Sequence, residues 1–153
     1  MLPGDLLLYD RGGPIGWWIK FKTWSRYSHV ECVIPNGQVI AARSAGVDIY
    51  PENVKGLAAV YRPTQPFDFD AAMVWFWDEA QGQGYDYLGL LNFYFSKRQG
   101  RHNRRMFCSE LATRWYRAGD LPLFGAYDAD GIAPAQFTMT DLLTRIWVKN
   151  DQN

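Results

Sequence analysis

The first 62 residues break into short β-prone runs, each bounded by turn residues, and this punctuation limits the fold more than any other feature. Gly4 to Tyr9 reads as a short buried strand closed by Arg11-Gly12-Gly13. Ser28 to Ile34 is rich in β-branched residues, Pro35-Asn36-Gly37 supplies a turn, and Gln38 to Ala42 returns. Gly46 to Tyr50 and Leu57 to Arg62 extend this into an antiparallel meander. Between the first two strands, Pro14 sits where a helix can start, and Ile15 to Ser25 is apolar on nearly every side.

After Pro63 and Pro66 the period becomes helical. Asp68 or Asp70 can cap a helix running to about Gln81, which Gly82 and Gly84 stop. Tyr85 to Phe95 reads as partly helical, and Cys108 to Ala118 as a helix with Phe107, Leu111 and Trp115 on one face and Gly119 past its end. Leu142 to Val148 is one last strand or a helical turn. Strands and helices are segregated, so the class is α+β: an antiparallel sheet of about five or six strands packed against helices.

A length of 153 residues gives one domain, 1–153, and an aromatic content of 16% supplies enough bulk for its core. Lys+Arg and Asp+Glu both number 16, a balance that speaks against a nucleic-acid partner. No stretch has the roughly 18 apolar residues that span a bilayer. The start, Met1-Leu2-Pro3-Gly4-Asp5, lacks the basic, then apolar, pattern of a secretory signal. A cytoplasmic protein is expected, with carriage in a phage or prophage particle as the other setting. Two cysteines and two histidines are too few for a disulfide framework or a zinc set, so neither metal nor cofactor is expected.

Chemistry then rests on single residues. Cys108 falls at a predicted helix start, where unpaired N–H groups and the helix dipole favour thiolate. Lys97, Arg98, Arg101, Arg104 and Arg105 precede it in a basic loop. The plain alternative is a small core residue, since free cysteine is among the most buried types. His29 and Glu31 share one face of a strand, roughly 6.5–7 Å apart, close enough for the carboxylate to orient the imidazole. The plain alternative there is a solvated strand face. The same alternation makes Cys32 a core residue without chemistry, and His102 reads as a solvated loop residue. Trp17 to Trp24 reads as core plus one wall of a cleft, with an interfacial membrane helix as the alternative.

Several segments, in one consistent order, resemble the permuted papain-like cysteine amidases, the YaeF/YiiX-like relatives of the NlpC-type cell-wall peptidases. They are Gly4-Asp5-Leu6-Leu7, Tyr27-Ser28-His29-Val30-Glu31, Asn36-Gly37 with Gly46-Val47, Gly84-Tyr85-Asp86-Tyr87, Phe107-Cys108-Ser109-Glu110-Leu111 and Ala133-Pro134-Ala135. His29 precedes Cys108, which is the permuted order. The resemblance implies a circularly permuted papain-like fold with Cys108 as nucleophile, His29 as general base and Glu31 as the orienting group. It further implies Tyr85 near the oxyanion position, beside the backbone N–H of Cys108. In one respect the chain departs from the related lecithin:retinol acyltransferase-like enzymes. Their second histidine has no counterpart in Val39-Ile40-Ala41-Ala42-Arg43, which leaves the orienting task to Glu31.

The expectation is therefore a cysteine hydrolase, amidase- or peptidase-like, acting through an acyl-thioester on a small peptide or acyl substrate such as a cell-wall peptide. The alternatives are a lipid acyltransferase or phospholipase-like enzyme, and a non-catalytic phage or structural module that keeps the fold.

Overall fold

The chain was analysed as a computed structural model, which describes residues 1–85 and 105–149. Its centre is a six-stranded sheet in the order β4-β3-β2-β1-β5-β8. The strands are β1 (Leu6–Tyr9), β2 (His29–Ile34), β3 (Gln38–Arg43), β4 (Gly46–Pro51), β5 (Leu57–Pro63) and β8 (Leu143–Val148). Every neighbouring pair is antiparallel. The last segment thus resolves as a strand, on the outer edge of β5. Asn36 and Gly37 both take positive φ in the β2–β3 turn, a backbone region these two residue types tolerate.

Helix α1 (Pro14–Thr23) lies between β1 and β2, with proline in its first turn. Helix α2 (Phe69–Trp75) is capped by Asp68, whose carboxylate accepts from the Ala71 N–H at 2.9 Å. It does not run on as a regular α-helix to Gln81. A π-helical turn, Phe76–Ala80, replaces its last part before Gly82 turns the chain. Tyr85 lies on a two-residue strand, β6 (Gly84–Tyr85), which pairs in parallel with β7 (Arg105–Met106). Of the segment read as partly helical, Tyr85 to Phe95, Tyr85 is on this strand and 86–95 lies outside the described residues. Helix α3 (Cys108–Ala118) has the bounds read from the sequence.

Both faces of the inner strands are buried, while the edge strand β8 is mostly exposed. Leu6, Leu8, Val30, Cys32, Ile34 and Ile40 form one core with Leu111, Trp115 and Tyr116 of α3. Leu7, Tyr9, Val33, Val39, Ala41 and Val60 form a second on the opposite face. Tyr116 ties helix to sheet by donating from its hydroxyl to the Gly4 carbonyl at 2.8 Å. At the far end of α3, Gly119 packs so closely on the Asp68 carbonyl that a Cβ would stand 2.5 Å from it. These contacts fix where the first residue of α3 meets the start of β2.

Candidate active site

The alternation of β2 holds: His29 and Glu31 share one parity, while Val30, Cys32 and Ile34 enter the core under α3. A solvated face is excluded, however, because all six residues of the strand are buried. Register supplies the reason. Tyr9 stands opposite His29 and Leu7 opposite Glu31 on β1, and the Tyr9 ring lies 6.0 Å from the imidazole. On the other side β3 pairs Val33 with Val39, and the same register carried along the strands brings Arg43 level with His29.

Glu31 is the most enclosed charged group of the site, its side chain 0% exposed. Such a carboxylate is stable only when donors surround it. Its Oε1 accepts from His29 Nε2 at 2.9 Å, from Arg11 Nη2 at 2.8 Å and from Arg43 Nε at 2.9 Å. Its Oε2 accepts from Arg43 Nη2 at 2.9 Å, so Arg43 grips it as a two-pronged fork. Burial alone pushes the Glu31 carboxyl up; the bonds from His29 and Arg43 and the nearby positive charges outweigh it and hold it at about 2.

Arg11 and Arg43 were not among the residues singled out from the sequence. The available signal is positional: both arginines lie at or just beyond strand ends, and Arg43 ends the stretch in which the acyltransferase-like enzymes carry their second histidine. Each guanidinium also lies over an aromatic ring, Arg11 at 4.8 Å from Tyr9 and Arg43 at 4.5 Å from Tyr50. Ser28 sets the course of the chain at Arg11, its Oγ accepting the Arg11 N–H at 2.8 Å. Gly16 is required beside it, since a Cβ there would stand 2.3 Å from the Arg11 carbonyl.

Cys108 is the first residue of α3, and the Phe107 side chain before it makes no capping hydrogen bond to the helix. The groups that act on the sulfur are the His29 ring and the backbone N–H groups of Val30 and Ser109. Glu31 takes Nε2 of that ring, which leaves Nδ1 for the sulfur. Burial pushes the Cys108 thiol up, but the charge and hydrogen bond of His29 and the two backbone bonds bring it below the usual thiol range. Burial likewise pulls His29 down, and the neighbouring sulfur and Glu31 return it to above its usual value. Both directions favour the thiolate–imidazolium form.

The sequence-predicted residues thus divide. Cys108, His29 and Glu31 come together: Glu31 holds the His29 ring by a hydrogen bond, and that ring is the group acting on the Cys108 sulfur. Tyr85 is fixed by its backbone on β6, while its side chain lies outside the described residues. So do 86–104, which hold His102 and most of the basic loop. In α1, Trp17 (62%) and Phe21 (57%) are exposed and Ile19 is buried, and Trp24 (93%) just past its end is exposed too, so this aromatic wall faces outward. Among the described residues, no group of three His, Cys, Asp or Glu converges as a metal site, and no helix is long and apolar enough to cross a membrane.

No family model and no curated protein matches this chain. Its fold is that of a solved structure, the metalloprotein YiiX of Escherichia coli O157:H7, with a TM-score of 0.68 over 97% of each chain at 17% identity. The likeness agrees with the α+β, permuted papain-like description of the architecture.

Proposed function

We propose that this chain is a cysteine hydrolase, amidase- or peptidase-like, with Cys108 as nucleophile, His29 as base and Glu31 as the group that orients the base. One observation carries the reading: a thiol at a helix start has beside it an imidazole whose Nε2 is held by a buried carboxylate. The fold shared with YiiX agrees with it.

In this mechanism His29 Nδ1 takes the Cys108 proton, and the thiolate attacks the carbonyl carbon of an amide or ester. The oxyanion that forms is met by the Cys108 backbone N–H and, as the family resemblance implies, by Tyr85. His29 returns the proton to the leaving nitrogen or oxygen as the bond to carbon breaks, leaving an acyl-thioester. Water, activated by the same imidazole, then releases the acid. The substrate class that follows is a small peptide or acyl compound, a cell-wall peptide being the family-like choice. Cys108→Ala and His29→Ala should each abolish turnover in a screen of peptidoglycan fragments and model amides while the far-ultraviolet circular dichroism stays unchanged. Turnover by a folded Cys108→Ala variant would refute the assignment.

The outward aromatic face of α1 favours a second reading, an acyltransferase or phospholipase-like activity at a lipid surface. Trp17 and Phe21 stack at 5.5 Å in the open, and Trp24 is almost wholly exposed in a left-handed conformation. Co-sedimentation with liposomes at low salt and acyl release from a lipid ester would favour it over the peptide substrate; absence of binding would remove it.

A further inference from the structure

We propose that Arg43, assisted by Arg11, is a positioning residue: the two guanidiniums fix the Glu31 carboxylate and offset its charge, so that Glu31 steers the His29 ring without trapping its proton. This inference rests on the reading of Cys108 and His29 as a working pair and adds to it the reason a buried glutamate can serve there.

The requirement arises from opposing demands on one carboxylate. As an ionised group Glu31 can only accept, so the His29 nitrogen facing it must carry hydrogen, which fixes the tautomer and turns the Nδ1 lone pair toward sulfur. A bare carboxylate 2.9 Å from the ring would also stabilise the imidazolium, yet the reaction needs His29 to surrender its proton to the leaving group. Two arginines on the same carboxylate reverse the sign of the local charge while leaving the orienting bond intact.

Among the described residues, Tyr9 and Arg11 from β1 and the residues after it, Glu31 on its own strand and Cys108 from α3 face His29, and Arg43 from β3 reaches it through Glu31. The arginines are built into place. Arg43 is held by a fork to both carboxylate oxygens and by the Tyr50 ring, whose hydroxyl donates to the Gly46 carbonyl at 2.9 Å. Arg11 is held by the Tyr9 ring and, through its backbone, by Ser28. Lysine could supply the charge at position 43 but not the fork.

Simple satisfaction of a buried charge would need the same bonds, so the test must read the proton on His29. The chain has two histidines, and nitrogen NMR of the full-length protein, with His102→Gln for assignment, follows His29 across pH. R43Q should hold the imidazolium to higher pH, raising its proton affinity about tenfold, while E31Q should lower it about tenfold and release the fixed tautomer. R43K, which keeps charge, should stay near the wild type. A midpoint that R43Q leaves unmoved, or moves in the same direction as E31Q, overturns the proposal. Should R43Q fail to fold, R11Q and R43K decide it: R11Q is expected to shift upward and R43K to stay, and the reverse pattern overturns it. Failure of the thiol–imidazole pair itself would appear separately, as no Cys108 thiolate at neutral pH in the unmutated protein.

Discussion

Cys32 and Cys108 are exposed by 1% and 2%, and the cores of the same sheet and helix enclose both. Around Cys32 burial pushes the thiol up and the Glu31 charge pushes it further, against a downward pull from the Tyr116 hydroxyl. The result is a thiol well above its usual range. Around Cys108 the same burial is outweighed by an imidazole and two backbone N–H groups. Depth alone therefore does not decide which way a buried thiol shifts. What separates the two cysteines is whether the fold aims donors at the sulfur, and a helix start beside a strand bearing His29 does so.

The largest way to break the contrast is to remove the imidazole. His29→Ala should make Cys108 behave like a buried core thiol, with alkylation near neutral pH slowed by about a hundredfold as thiolate is lost. A variant that labels as fast as the wild type would show the helix start alone to be sufficient.

Next in size is the carboxylate that holds the imidazole. The Glu31 carboxyl is depressed in the folded state, so its contribution is fully present above its ordinary value of 4.5 and is lost as pH falls toward about 2. That contribution is about 3 kcal/mol. Glu31→Gln should flatten this part of the acid-unfolding profile, measured by denaturant titration at several pH values. An unchanged profile would mean that the arginine clamp does not act on stability.

Two smaller effects sharpen the contrast from the inert side. Cys32→Ala should cost about 1–2 kcal/mol through a small cavity and leave the pH dependence of Cys108 untouched. Ser28→Ala removes the acceptor for the Arg11 N–H and should cost about 1 kcal/mol, with a slight loosening of His29. Thermal unfolding reads the first effect in each case, and thiol titration the second.

Local signals made much of this legible in the sequence. The alternation in His29-Val30-Glu31-Cys32 told which side chains share a face, and the Phe107/Leu111/Trp115 spacing with Gly119 bounded α3. Asn36-Gly37 marked the hairpin. The rest depended on strand pairing, which no local pattern records. That β1 lies between β2 and β5 is a non-local choice, and it brings Tyr9 and Arg11 to the site. Arg43 arrives only through the β2–β3 register, which is why an arginine at a strand end did not read as part of a carboxylate's shell. The π-helical turn after α2 was hidden for a different reason, since Phe76–Ala80 keeps helical composition while the bonding pattern changes.

The thiolate absorbance of the full chain in the ultraviolet, followed across pH beside Cys108→Ala and Cys32→Ala, probes the sulfur without requiring any reagent to reach it. A thiolate signal at about pH 6 that vanishes in Cys108→Ala and persists in Cys32→Ala is the predicted result. A signal that first rises near the free-thiol value of about 8.5, or that follows Cys32, would contradict the pairing of Cys108 with His29 and leave a folded domain without a nucleophile.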